Sequence, residues 1–189
     1  MKKSFLLVLF ALLSTVSFAQ VSFGVKGGVA MSSFYGDNSD NTKVKFAGRV
    51  GLGFEYAVND MFSIQPTLYF SDKGTKYDAD GLSTNAEYLE LPIDAQFRFN
   101  LDKGMNFIAA AGPYFAYGIG GKKKYESGSV TVKSDTFDSL KDWDMGLNFE
   151  AGLEFNQFLV GIYTELGLLN VSKGGPKNYT VGLNFGYRF

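Results

Sequence analysis

The chain has no cysteine, no histidine and only four prolines among its 189 residues. Without cysteine there is no disulfide, no thiol nucleophile and no cysteine-linked lipid anchor. With histidine also missing, the common Ser-His and Cys-His nucleophile pairs are excluded. Neither sign of charge dominates, since 18 Lys and Arg stand against 19 Asp and Glu, so there is no overall basic field for nucleic acid. Past the N-terminus no apolar run reaches the 20 or so residues that a membrane helix needs. There is no linker, domain boundary or low-complexity segment.

What is present starts with an export signal. Lys2 and Lys3 precede an unbroken apolar run from Phe5 to Leu13, and Ser17, Phe18 and Ala19 place small residues at the −3 and −1 positions of a cut before Gln20. These are the three parts of a signal peptide, and the apolar run is too short to span a bilayer. Residues 1–19 are therefore read as a cleaved signal and 20–189 as one domain. Loss of Lys2 and Lys3 leaves 16 basic residues against 19 acidic ones. Aromatics make up 16% of the chain and glycine supplies 23 residues, a composition that favours twisted strands with aromatic faces.

Period-two alternation marks eight segments. The clearest is the last, where Tyr179, Val181, Leu183, Phe185, Tyr187 and Phe189 oppose Thr180, Gly182, Asn184, Gly186 and Arg188. Phe46 to Tyr56 and Met145 to Phe155 repeat the pattern, with Arg49 and Glu55, then Glu150 and Glu154, on their polar sides. Val21 to Met31, Phe62 to Phe70, Leu89 to Phe99, Phe107 to Tyr117 and Phe158 to Leu168 complete the set. Tight turns are expected at Asn59-Asp60, Asp102-Lys103-Gly104 and Asn156-Gln157. Longer loops are expected over 32–44, 73–85, 118–141 and 170–177. Short turns at one end, long loops at the other and an even strand count are the plan of an outer-membrane barrel.

The apolar face is assigned to lipid for two reasons. It is bulky on nearly every segment, and an eight-stranded interior is only wide enough to be filled, too narrow for that many Phe and Tyr side chains. Aromatics also recur ten residues apart, at Phe46 and Tyr56, Phe107 and Tyr117, and Tyr179 and Phe189. Ten residues at about 3.3 Å, tilted about 40°, project to roughly 25 Å, the height of the apolar band between aromatic girdles. The expected fold is thus all-β: an eight-stranded antiparallel up-and-down transmembrane β-barrel. A soluble periplasmic lipocalin-like binding barrel, with its apolar face inward, is the alternative.

In order along the chain, Gly24-Val25-Lys26-Gly27-Gly28, Ser63-Ile64-Gln65-Pro66-Thr67-Leu68-Tyr69, Lys73-Gly74, Tyr88-Leu89-Glu90-Leu91-Pro92, Ala111-Gly112-Pro113-Tyr114 and Gly186-Tyr187-Arg188-Phe189 resemble the PorT-like outer-membrane β-barrel family, the porin-family outer membrane protein β-barrel domain. The resemblance implies a small OmpX/OmpA-like barrel in the outer membrane of a Gram-negative bacterium, and no particular activity. One branch of the family is linked to secretion and gliding machinery, and no residue selects that branch. Phe189 resembles the assembly signal read by barrel-insertion machinery. Pro66, Pro92 and Pro113 fall inside expected strands, where local bulges or gaps in the ladder should accommodate them.

The polar face carries Lys26, Arg49, Arg98 and Arg188 against Glu55, Glu90, Asp94, Asp144, Glu150, Glu154 and Glu165. In so narrow a barrel burial forces pairing, so these are read as a lumen charge network, in preference to a narrow solute pore. Glu90 with Asp94, or Glu150 with Glu154, lie four strand residues apart, about 13 Å, whereas glycosidase carboxylates stand roughly 5–9.5 Å apart. Gly118-Ile119-Gly120-Gly121-Lys122-Lys123-Lys124 lacks the first glycine and the Ser/Thr of a phosphate loop. It is read as the start of the longest outer loop, whose three lysines suit lipopolysaccharide phosphates, although loop charges are usually just solvated. Asp37, Ser39 and Asn41 lack the glycine and distal glutamate of a calcium loop. No catalytic residue, cofactor or metal is expected. The expected partners are outer-membrane lipid and lipopolysaccharide, barrel-insertion machinery and a protein at the outer loops, with the barrel itself a monomer. Deleting Phe189 is expected to slow insertion into liposomes more than it lowers the stability of inserted barrels. Refolding kinetics of the truncated chain measure this, and normal insertion would count against the assembly role.

Overall fold

In a computed structural model describing residues 20–39, 41–77, 81–102, 104–127 and 130–189, the alternating segments form extended strands. The proposed signal peptide, residues 1–19, lies outside the described residues. The strands are β1 (Val21–Tyr35), β2 (Thr42–Lys43), β3 (Lys45–Ala57), β4 (Phe62–Tyr77), β5 (Leu82–Asp102), β6 (Met105–Gly120), β7 (Lys122–Ser127), β8 (Val130–Asp135), β9 (Trp143–Phe155), β10 (Phe158–Asn170) and β11 (Lys177–Arg188). Eight of them, all antiparallel, close a ring in the order β1-β3-β4-β5-β6-β9-β10-β11 and back to β1. The closing seam extends from Gly24↔Arg188 to Tyr35↔Lys177. Its last rung is made by Phe189, whose N–H donates to the Phe23 carbonyl at 2.8 Å. β2, β7 and β8 extend the wall on one side of the ring.

The three tight turns lie where Asn, Asp and Gly place them. Asn59 Oδ1 accepts the N–H groups of Met61 and Phe62 at 2.9 and 2.8 Å. Asn156 and Gly104 adopt positive φ, which turn residues of these types tolerate. At the opposite end, two of the four expected long loops, 73–85 and 118–141, are mostly strand among the described residues. β4 and β5 continue until only residues 78–81 separate them, and the stretch expected to be the longest loop contains the β7–β8 hairpin. Apolar alternation stops where the outward face leaves hydrocarbon, but the backbone ladder has no reason to stop there. Polar stretches such as Ser71–Lys76 and Ser83–Glu87 stay paired, Asp72 with Glu87 and Lys76 with Ser83.

The prolines interrupt ladders without shifting them. Pairing of β3 with β4 skips from Gly53↔Thr67 to Tyr56↔Ile64 beside Pro66, and pairing of β5 with β6 skips from Pro92↔Tyr114 to Ala95↔Ala111 between Pro92 and Pro113. These are gaps rather than bulges, because proline lacks only the donor.

Outward residues form a continuous apolar belt. Near the turns it ends in ring contacts between Phe23 and Phe54, Phe62 and Phe97, Phe99 and Phe107, and Phe158 and Tyr187. Near the other rim lie Phe46 and the Tyr117–Trp143 pair. Inward residues are buried at every second position, as in Ser63, Gln65, Thr67, Tyr69, Ser71 and Lys73 on β4. This arrangement reverses a lipocalin's, so the soluble-barrel alternative fails on its facing. Val50, midway between Phe46 and Tyr56, is 62% exposed while its neighbour Arg49 is 4% exposed. Val50→Arg is expected to cost about 2–4 kcal/mol, the penalty for a cation at the bilayer midplane, against roughly 0.5 kcal/mol at a water-facing site. Urea unfolding from liposomes reads the difference.

Candidate functional site: the charged lumen and its cap

The barrel interior is built from side chains of opposite charge on different strands. Near the turns, Arg98 of β5 bridges Glu55 of β3 at 2.9 Å and Glu154 of β9 at 3.1 Å. Arg188 of β11 reaches Glu154 at 3.2 Å. Gln96 donates to Glu55 and Ser63, each at 3.2 Å.

Above this group, one chain of ion pairs crosses the lumen. Lys26 contacts Glu150 at 3.2 Å, Arg49 lies 3.8 Å from Glu150 and 2.6 Å from Glu165, and Lys73 lies 2.9 Å from Glu165 and 2.5 Å from Glu90. The six residues come from β1, β9, β3, β10, β4 and β5, so the network ties together six of the eight walls. Asp94 accepts both of its bonds from Asn148 Nδ2, at 3.0 and 2.9 Å. Asp144 accepts from Tyr114 Oη at 2.9 Å and from Asn178 Nδ2 at 2.8 Å. The eleven charged positions singled out from the sequence all lie among these interior groups.

The sequence reading missed Lys73, which falls within a stretch taken for loop. It is fully buried and holds two carboxylates. The available signal was parity, since Ser63, Gln65, Thr67 and Tyr69 extend to Ser71 and Lys73. The four inward tyrosines obey a further rule. Tyr69 pairs across its ladder with Gly51, Tyr88 with Gly118, Tyr114 with Gly146 and Tyr163 with Gly182. A Cβ on Gly182 would meet Tyr163 Cε1 at 2.7 Å and the Val29 carbonyl at 2.5 Å. The rings of Tyr69, Tyr114 and Tyr163 thus lie over bare backbone, filling space that a second side chain would contest, while over Gly118 that space is taken by Phe137. Arg49 is held between two of these rings, its guanidinium carbon 3.4 Å from the centre of Tyr163 and 4.4 Å from that of Tyr69. Lys73 lies 4.1 Å from the centre of Tyr114.

The loop end is closed by the segment between β8 and β9. Thr136 Oγ1 donates to the Asn85 carbonyl at 2.5 Å, and the Lys141 N–H donates to the Val171 carbonyl at 2.8 Å. Phe137 packs over Gly118 and edge-on to Tyr88, with ring centres 5.6 Å apart. It also joins the cluster of Phe34, Leu140 and Val171. Beside this cap, Lys123 donates to Ser139 Oγ at 2.5 Å, and partial burial lowers its pKa from the ordinary lysine value. At the turn end a cavity of about 30 Å³ lies among Lys26, Glu55, Gln65 and Glu154, room for one or two waters. Gly118–Gly121, read as the start of a loop, mostly completes β6.

The family model described as outer membrane protein beta-barrel domain matches residues 18–173. Among solved structures, Neisserial surface protein A shares 12% identity over 89% of this chain and 97% of its own, with a TM-score of 0.51. Ail, the attachment invasion locus protein of Yersinia pestis, shares 18% over 90% of this chain and 99% of its own, with a TM-score of 0.49. The outer membrane protein OprG of Pseudomonas aeruginosa shares 16% over 89% and 95%, with a TM-score of 0.49. No curated protein matches the chain. At these identities the structural likeness is one of fold.

Lys73→Met removes the cation that bridges Glu90 and leaves that buried carboxylate unpaired, so it is expected to destabilise the inserted barrel by about 3–5 kcal/mol in urea titrations. Arg49→Leu leaves Glu150 with Lys26 alone and Glu165 with Lys73 alone, and is expected to destabilise by less. A silent Arg49→Leu would contradict the inward, paired placement of these charges.

Proposed function

Because the chain belongs to the outer membrane protein β-barrel domain family, we propose that it acts as a structural and interaction barrel of a Gram-negative outer membrane, with its outer rim as the partner-facing surface and no catalytic role. The observation that carries this reading is the pairing of an apolar, aromatic-edged exterior with an interior filled by ion pairs and tyrosines. An exterior of that kind suits lipid, and among the described residues the lumen is filled by paired charges and tyrosine rings around a cavity of about 30 Å³. The basic, apolar and small residues of 1–19 support an export role for that stretch. The motifs from Gly24-Val25-Lys26-Gly27-Gly28 to Gly186-Tyr187-Arg188-Phe189 support a PorT-like assignment within the family. The closed ring has no free edge within the apolar belt, which supports a monomer in contact with lipid and lipopolysaccharide. Above the belt, the β7–β8 hairpin and the cap from Thr136 to Leu140 offer a surface for a protein partner.

The protein is expected in the outer-membrane detergent fraction, with a gel mobility that changes on boiling; release with periplasmic contents would defeat the reading. In planar bilayers the refolded chain is expected to give no porin-sized conductance steps, since Arg49 between Tyr69 and Tyr163 blocks the mid-lumen and Phe137 caps the mouth. Steps of that size would show an open channel instead.

A further inference from the structure

The wall that rises above the apolar belt carries an unusual row of charge. Lys43 of β2 pairs with Lys76 of β4, Lys76 with Ser83 of β5, Ser83 with Lys124 of β7, and Lys124 with Lys133 of β8. Residues directly opposite in antiparallel strands share a face, with Cβ atoms about 4.5–5.5 Å apart. Four lysines on five strands therefore stand in one line, and two of the adjacent pairs are lysine against lysine. Like charges directly opposite are destabilising. Among the described residues, no ion pair joins Lys76, Lys124 or Lys133 to a carboxylate. Just below the row, a cavity of about 480 Å³ is lined by Lys45, Asn85, Lys122 and Lys124 together with Ser83 and Glu87. Two of its lysines have acidic neighbours: Lys45 bridges Asp72 at 2.8 Å, and Lys122 pairs with Asp135 across the hairpin. The positive charge left over is that of Lys76, Lys124 and Lys133 in the row.

The facing identifies what the row meets. Strand parity turns it away from the lumen, on the same outward face as Phe70 and Leu89, the last apolar residues of β4 and β5 below it. Lys76 and Ser83 each lie six residues beyond that pair. At about 3.3 Å per residue and a tilt of about 40°, the row stands roughly 15 Å above the edge of the belt, with the cavity between. A molecule against this face stands upright in the outer leaflet beside the barrel, its acyl chains against the belt and its headgroup against the lysines. We propose that the row and the cavity beneath it form a docking site for the phosphorylated sugars of an outer-leaflet glycolipid, with Lys76, Lys124 and Lys133 supplying the charge and Ser83 and Asn85 the neutral hydrogen bonds. The like-charged ladder is then relieved by the phosphates it binds. The inference rests on the outer-membrane reading and gives its expected glycolipid contact a defined location.

The test titrates the mature chain, refolded in detergent micelles, with purified lipopolysaccharide and measures glycolipid retained after gel filtration. Lys76→Gln/Lys124→Gln/Lys133→Gln is expected to weaken retention at least tenfold. Lys141→Gln/Lys173→Gln/Lys177→Gln, which removes the same charge elsewhere on the rim, is expected to leave it unchanged. Dephosphorylated lipopolysaccharide should bind wild type and the row variant equally weakly. Equal loss in both triple variants, or undiminished binding of the dephosphorylated lipid, would overturn the site. So would a row-dependent affinity for inorganic phosphate alone that equals the affinity for the lipid, which would assign the row to a soluble anion. In the absence of lipid the row variant should unfold at the same urea concentration as wild type or a higher one, which separates lost binding from lost folding. Fractionation tests the outer-membrane reading separately, and the detergent titration reports on the row whichever way that result falls.

Discussion

An eight-stranded barrel encloses an interior just wide enough for its own side chains, and the polar face of these strands has to be the one that fills it. Charged groups in so confined a space are tolerable only when paired and hydrogen-bonded. The six-membered chain from Lys26 to Glu90 meets that requirement, and it does so between strands far apart in sequence. Lys26 and Glu150 are 124 positions apart, and Arg49 and Glu165 are 116 apart. Neither of these two pairs can form until their distant strands are brought together in the ring, unlike Lys73–Glu90, which joins the neighbouring strands β4 and β5. The network therefore acts as a check on closure and register: a slip of one residue would turn Arg49 toward lipid and Val50 inward.

Space is regulated by the same economy. Each inward tyrosine faces a glycine across its ladder, and the rings of Tyr69, Tyr114 and Tyr163 fill the space that the missing side chains of Gly51, Gly146 and Gly182 leave. The rings also give the cations a second kind of partner. Arg49 is bounded by two aromatic faces as well as two carboxylates, which leaves it little freedom. Phe137 extends the principle to the mouth, where it covers Gly118.

The wall changes character where the lipid ends. Below Phe70 and Leu89 the outward face is apolar and the inward face is polar. Above them the outward face carries the lysine row, while Ala86 and Phe34 add apolar side chains to an inward face that still holds Ser71, Lys73 and Thr75. A single ladder of backbone hydrogen bonds carries a lipid-facing belt, a sealed lumen and a basic rim.

Much of this was legible in the residues themselves. Period-two alternation located all eight wall strands, because one face meets hydrocarbon and the other does not. Gly104 and Asn156 marked two turns because few other residues tolerate positive φ, and Asn59 marked the third because its side-chain oxygen accepts the turn's N–H groups. The inward charges followed from parity alone. The sequence could not show how far the strands run past the belt, since polar residues on both faces erase the alternation while the ladder persists; Lys73 was misplaced for that reason. Nor could it show which charge meets which, that Tyr69 and Tyr163 enclose Arg49, or that Lys43, Lys76, Lys124 and Lys133 share a line. Those relations depend on the register between strands, and register is set only when the ring closes.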